Sequence, residues 1–237
     1  MLSALVLSLS LLLAPPKTIN VIVVTLTKGS VTIPLSPAGR AELRRDATIT
    51  RINVQIEKLP LPSTFGPAMN SYVVWAVSPE GYIENVGELA VDKDKGHLET
   101  TSRFDQVGVF VTAEPHYMVD RPSGAVAYGG QVPRSDLRRQ TVPVEIGTYD
   151  YSGTPTDPKA TVVPSIVAEA RTAFQIAKQA QAERLAENEF RRAKAALDTT
   201  EQLVSRATPL DIVAESANEA IRRAQRAATI AREKTKP

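Results

Sequence analysis

Cysteine is missing from this sequence of 237 residues, and with it go disulfides, thiolate nucleophiles and cysteine-ligated zinc. Histidine occurs only as His97 and His116. They fall in unrelated stretches, a charged hairpin tip and a strand end after Pro115. Both read as exposed turn residues, and no spacing supplies the partners a metal site needs. Aromatic residues make up 5% of the chain. Most of the Tyr and Phe, and the single Trp75, precede residue 152, so the two ends of the chain must bury different kinds of surface. The formal net charge is +2 and the basic excess is dispersed, which gives no electrostatic case for a nucleic-acid binder. No G-x-S-x-G, P-loop, G-x-G-x-x-G or H-E-x-x-H pattern occurs. These absences together predict a protein that is not an enzyme and carries no cofactor or metal.

Among what is present, residues 1–14 are an unbroken run of apolar and small residues that ends at Pro15-Pro16. The run has the length of a signal-peptide core and is short for a membrane span. Residues 1–16 are therefore expected to be a signal peptide or an N-terminal anchor, and a buried first strand or helix is the competing reading. No cysteine follows the run to accept a lipid.

Residues 17–148 read as a β domain. Ile52, Val54 and Ile56 alternate with polar residues, which predicts a strand with one buried face. Tyr72-Val73-Val74-Trp75-Ala76-Val77 is apolar on both faces, as a central strand would be. Ser78-Pro79-Glu80-Gly81 fits a type I turn, Asp92-Lys93-Asp94-Lys95-Gly96 a charged hairpin tip, and residues 107–112 another core strand. This rhythm predicts an antiparallel sandwich of about seven strands in the immunoglobulin style.

The stretch also carries Leu59-Pro60, Phe65-Gly66-Pro67, Trp75 with Pro79-Glu80-Gly81, Asn85-Val86-Gly87-Glu88-Leu89 and Thr112-Ala113-Glu114-Pro115, in that order. Over residues 40–128 these motifs resemble a β domain of envelope proteins from acidobacteria-like bacteria. In that family the β domain is often followed by a helical domain of unknown function and then by an OmpA-type peptidoglycan-binding domain. The resemblance implies an exported protein, periplasmic or associated with the outer membrane. No OmpA-type segment follows the helices here, so wall binding through one is not implied.

Residues 149–163 are rich in Gly, Pro, Ser and Thr and read as a linker, too polar to be a core element. Residues 164–237 read as an Ala-rich antiparallel helical hairpin, making the whole chain an α+β protein. From 164 to 205 Gly and Pro are absent after Pro164, and Val167, Ala170, Phe174 and Ala177, then Ala186, Phe190, Ala193, Leu197 and Val204, mark an apolar stripe at helical spacing. Gln181 interrupts it, and a bend near Arg184 is expected. Thr208-Pro209-Leu210-Asp211 is a helix start with a Thr cap and Pro at the first helical position. The second helix should bury Val213, Ala217, Ile221, Ala224, Ala228 and Ala231.

A seam made mostly of Ala lets helices approach closely but buries little apolar area. Such a hairpin should dock on its own β domain, on a second copy, or on another envelope protein. Arg191, Arg192 and Lys194, with Arg222, Arg223, Arg226 and Arg232, could line one basic ridge, an interaction surface for an anionic polymer, a lipid headgroup or nucleic acid. The bland alternative is a solvated face with local ion pairs to Glu187, Glu189, Glu215 and Glu219. The loop 61–67 near Tyr72 and Trp75 could form a lip, with Phe65, Tyr72 and Trp75, for a cell-wall polymer; a packed loop closing the domain is the plainer reading. Glu80, Glu84 and Glu88 could supply a carboxylate pair for glycoside chemistry, against solvated strand ends. The expected function is a structural or protein-interaction role in the cell envelope, with a module binding peptidoglycan or polysaccharide as the alternative.

Overall fold

A computed structural model of the chain describes residues 17–26, 29–133, 137–155 and 163–235. The expected signal peptide or anchor at 1–16 and part of the expected linker, 156–162, lie outside the described residues.

Strict alternation builds the first half of the sheet. In β2 (Ser30–Ser36), β3 (Gly39–Asp46) and β4 (Ile49–Glu57), Val31, Ile33, Leu35, Ala41, Leu43, Ile52, Val54 and Ile56 turn inward while Thr32, Arg40, Glu42, Arg44 and Gln55 face solvent. This is the half-buried antiparallel pattern. β5 (Ser71–Val77) is buried along its whole length between β6 (Ile83–Glu88) and β9 (Gln106–Glu114). Tyr72, Val74 and Ala76 join the large inner core, whereas Val73, Trp75 and Val77 belong to a second core on the opposite face.

Antiparallel pairing runs in the order β6, β5, β9, β10 (Val126–Gly130), β2, β3, β4, β8 (Lys95–Ser102) and β7 (Ala90–Asp92). The two ends of this order meet. β6 pairs with β5, and β7, which follows directly in the chain, pairs with β8. Thr100 Oγ1 donates to the Val86 carbonyl at 2.8 Å, and Ser102 Oγ to Glu84 at 2.7 Å. The sheet is thus nearly closed on itself, which hides the edges that an open sheet would present.

A ribbon of β1 (Lys17–Thr25) and β11 (Arg139–Ile146) lies over the outside of β5 and β9, and the second core is sealed beneath it. Gly108 in β9 permits that crossing. A Cβ there would stand 2.6 Å from Val21 Cγ1 and 2.7 Å from the Ile22 carbonyl oxygen. The described residues contain eleven strands, where about seven were expected, because the ribbon and the short β7 add pairings that turn spacing does not reveal.

The helical region comprises α1 (Ser165–Gln179), α2 (Ala182–Leu185), α3 (Glu187–Ser205) and α4 (Leu210–Thr235). The expected long first helix is broken into α1, the short α2 and α3. Gln181 is left-handed, with φ of 58°, and the chain reverses there. Arg171 of α1 pairs with Glu201 of α3 at 2.6 Å, and Phe174 stacks on Phe190 at 4.9 Å. In a continuous helix residues 171 and 201 would stand about 45 Å apart. α3 and α4 run antiparallel, with Arg223 to Glu189 at 3.2 Å and Thr200 to Ser216 at 2.9 Å. α4 packs on both α1 and α3. All six residues expected inside the second helix are buried, together with Ala220 and Ala227.

The helices dock on the sheet. Asn70 Nδ2 donates to Thr172 Oγ1 at 3.0 Å, the Tyr117 hydroxyl donates to Asn218 at 2.9 Å, and one hydrophobic core spans both regions. The segment expected to be a polar linker takes part. Tyr151 is buried, the Arg232 guanidinium lies 3.7 Å over the Tyr149 ring, and Thr154 Oγ1 donates to Gln179 at 3.0 Å. Two tyrosines make the start of this polar stretch a core element after all.

Candidate functional site

The described residues gather their strongest electrostatic perturbations where the helices meet the sheet. β9 ends in Thr112-Ala113-Glu114 and continues through Pro115 and His116 to Tyr117, so one strand end delivers several polar groups to the junction. Glu114 is fully buried. Its Oε1 accepts from Thr112 Oγ1 and, at 2.7 Å, from the Ser123 N–H. Thr112 Oγ1 also accepts from the Trp75 indole N–H at 2.7 Å. Burial outweighs these hydrogen bonds and pushes the Glu114 carboxyl up to about 8, so it is protonated at neutral pH.

His116, expected at an exposed turn, is 1% exposed. Burial, and then the nearby Arg232 cation, push it down to about 3, so the ring is neutral. Residue type and spacing gave no sign of this, because burial here is imposed by α4 from far along the chain.

The second feature is a carboxyl pair. Glu169 of α1 is 1% exposed, and its Oε2 accepts from the Tyr117 N–H at 3.0 Å. Its side chain also meets Glu88, at the end of β6, in a hydrogen bond. Two carboxyls can hold such a bond only by keeping a proton. Burial, before any other cause, raises Glu88 to about 7 and raises Glu169 well above the carboxylate range. Glu88 therefore does enter a carboxyl pair, but with Glu169 in place of Glu80 or Glu84. Glu80 accepts from Ser78 in its own turn, and Glu84 from Ser102 across the seam. The motif Asn-x-Gly-Glu-Leu marked Glu88; nothing in the α1 sequence distinguished Glu169 from a solvated helix residue.

Such a pair can store a proton in the interior. With Glu169 enclosed, it offers no open face where a substrate could lie between two carboxylates.

The anticipated basic ridge is an ion-paired face. Glu189, whose side chain is 12% exposed, draws together Arg192 at 3.1 Å from its own helix and Arg223 and Arg226 at 3.2 and 3.8 Å from α4. Glu219 binds Arg222 and, at 2.8 Å, Arg223. Arg191 and Lys194 pair locally with Glu187 and Asp198 at 3.9 and 2.7 Å.

The anticipated lip divides. Phe65 is half-buried and meets the edge of Tyr72 at 6.1 Å. Tyr72 lies in the inner core, where its hydroxyl donates to the Pro60 carbonyl at 2.8 Å. Trp75 lies on the other face of β5, stacked on Phe110 at 6.3 Å. Tyr72 and Trp75 are three residues apart on a strand, and that odd spacing sends them to opposite faces. No known protein family, curated protein or solved structure matches the chain.

Proposed function

We propose that this chain is a non-enzymatic structural or protein-interaction protein of a bacterial cell envelope, exported to the periplasm or associated with the outer membrane. In this reading the sheet region occupies the place of the family's immunoglobulin-like domain, and the α3–α4 hairpin is the assembly surface. The observation that carries it is the shared core. Docking on the sheet region holds the helices rigidly and leaves the outer side of α3 and α4, with its ion-paired cations around Glu189, facing outward. The apolar run at residues 1–14 and the family resemblance supply the compartment.

The test is fractionation of the native host with a C-terminal tag, followed by amine cross-linking and mass analysis. The expected result is recovery in the envelope fraction, cross-linked through Lys194. Cytosolic recovery at full mass would overturn it.

One observation favours the alternative reading, binding of peptidoglycan or polysaccharide. Leu61 is 70% exposed close to the half-buried Phe65, which leaves an apolar rim on the loop. Retention on insoluble wall material that is lost in Phe65→Ala would support this reading; no retention by the native protein would end it.

A further inference from the structure

We infer that α1 is held on the sheet region by a proton kept between Glu88 and Glu169, so that docking of the helical region is favoured in acid and loosens as the pH rises. The inference goes beyond the proposed assembly role and does not depend on it.

The geometry sets the requirement. Glu169 sits in the second turn of α1, buried at the junction, where its carboxyl accepts from the Tyr117 N–H at 3.0 Å and meets the Glu88 carboxyl. The Tyr117 N–H can satisfy one oxygen of an ionised Glu169. If Glu88, which is half-buried, is ionised as well, it repels the enclosed Glu169 carboxylate, and neither can donate to the other.

The surroundings offer limited relief. From the segment after β9 the pair faces Tyr117, whose phenol is pushed up to about 12 by burial, then by Glu169 and Glu88. That phenol is committed to Asn218 of α4 at 2.9 Å. On α1 itself, Arg171 is bound to Glu201 of α3 through two contacts of 2.6 and 2.8 Å. The Arg232 cation of α4 stacks on Tyr149, and His116 is neutral. A retained proton is the simplest way to keep the junction closed.

The sign follows from linkage. When α1 lifts away, both carboxyls return toward ordinary values near 4.5 and release protons that the closed form retains. Stabilisation of the closed form is complete below that value and declines as pH rises through about 7, where Glu88 titrates in place. Two protons released on opening raise the opening equilibrium by up to about a hundredfold per pH unit inside that window, and one proton by about tenfold.

The experiment is hydrogen exchange read by mass spectrometry on the whole chain between about pH 5 and 7, corrected for intrinsic rates, with peptides from α1 compared with peptides from β9. Protection of α1 relative to β9 should fall by about tenfold to a hundredfold per pH unit. Glu88→Gln provides a donor that does not titrate, and should flatten the dependence by about tenfold per pH unit. Glu114 titrates in both proteins and cancels in the comparison. A flat α1 response in the native protein, or α1 and β9 falling in step, would overturn the inference even if the variant fails to fold. An unchanged slope in folded Glu88→Gln, or in Glu169→Gln, would overturn it too.

Discussion

At Thr112 a single hydroxyl stands between the indole of Trp75 and the carboxyl of Glu114, accepting from one and donating to the other. All three groups are buried, so each needs its partner. Thr112→Val keeps the shape and removes the hydroxyl, stranding the indole N–H. The expected loss is about 1–3 kcal/mol in denaturant unfolding, followed by Trp75 fluorescence. Trp75 was legible as a core residue because its strand is apolar on both faces. Glu114 was not. A Glu near a strand end looks the same whether solvent or a second layer lies outside, and here the cover includes Ser123 and Tyr151, which come later in the chain.

Two elements each depend on one position, one for space and one for backbone conformation. The ribbon crosses β9 at Gly108, and Gly108→Ala should cost about 1–3 kcal/mol, with exchange protection lost first in β1 and β11. The reversal between α1 and α3 depends on Gln181 in a left-handed conformation, where a side chain is unfavourable. Gln181→Gly should leave the melting temperature unchanged or slightly higher. In a continuous helix the same change would cost about 1 kcal/mol. The break in the apolar stripe at Gln181 showed in the sequence that something ends there. It did not distinguish a bend from a reversal, because α1 and α3 each keep an apolar face in either geometry. Phe174 stacked on Phe190, and Arg171 paired with Glu201, decide it.

Across the whole molecule, the sheet and helices share one core and bonds such as Asn70 to Thr172. At about pH 5, where the junction carboxyls are protonated or nearly so, the molecule should melt as one cooperative unit. Helical circular dichroism and Trp75 fluorescence should then give coincident transitions, whereas separate midpoints would mean that the helices unfold independently. The sequence by itself determined what local pattern can determine: alternation in β4, the doubly apolar β5, the turn after Val77, the start of α4 and its buried Ala seam. These follow from residue type and period within a few neighbouring turns or strand positions. The tertiary structure alone decided the near closure of the sheet, the ribbon over β5 and β9, the burial of His116 and Tyr151, and the meeting of Glu88 with Glu169. Each joins residues far apart in the chain, and the energy of burying a charge depends on what packs over it, which no local period records.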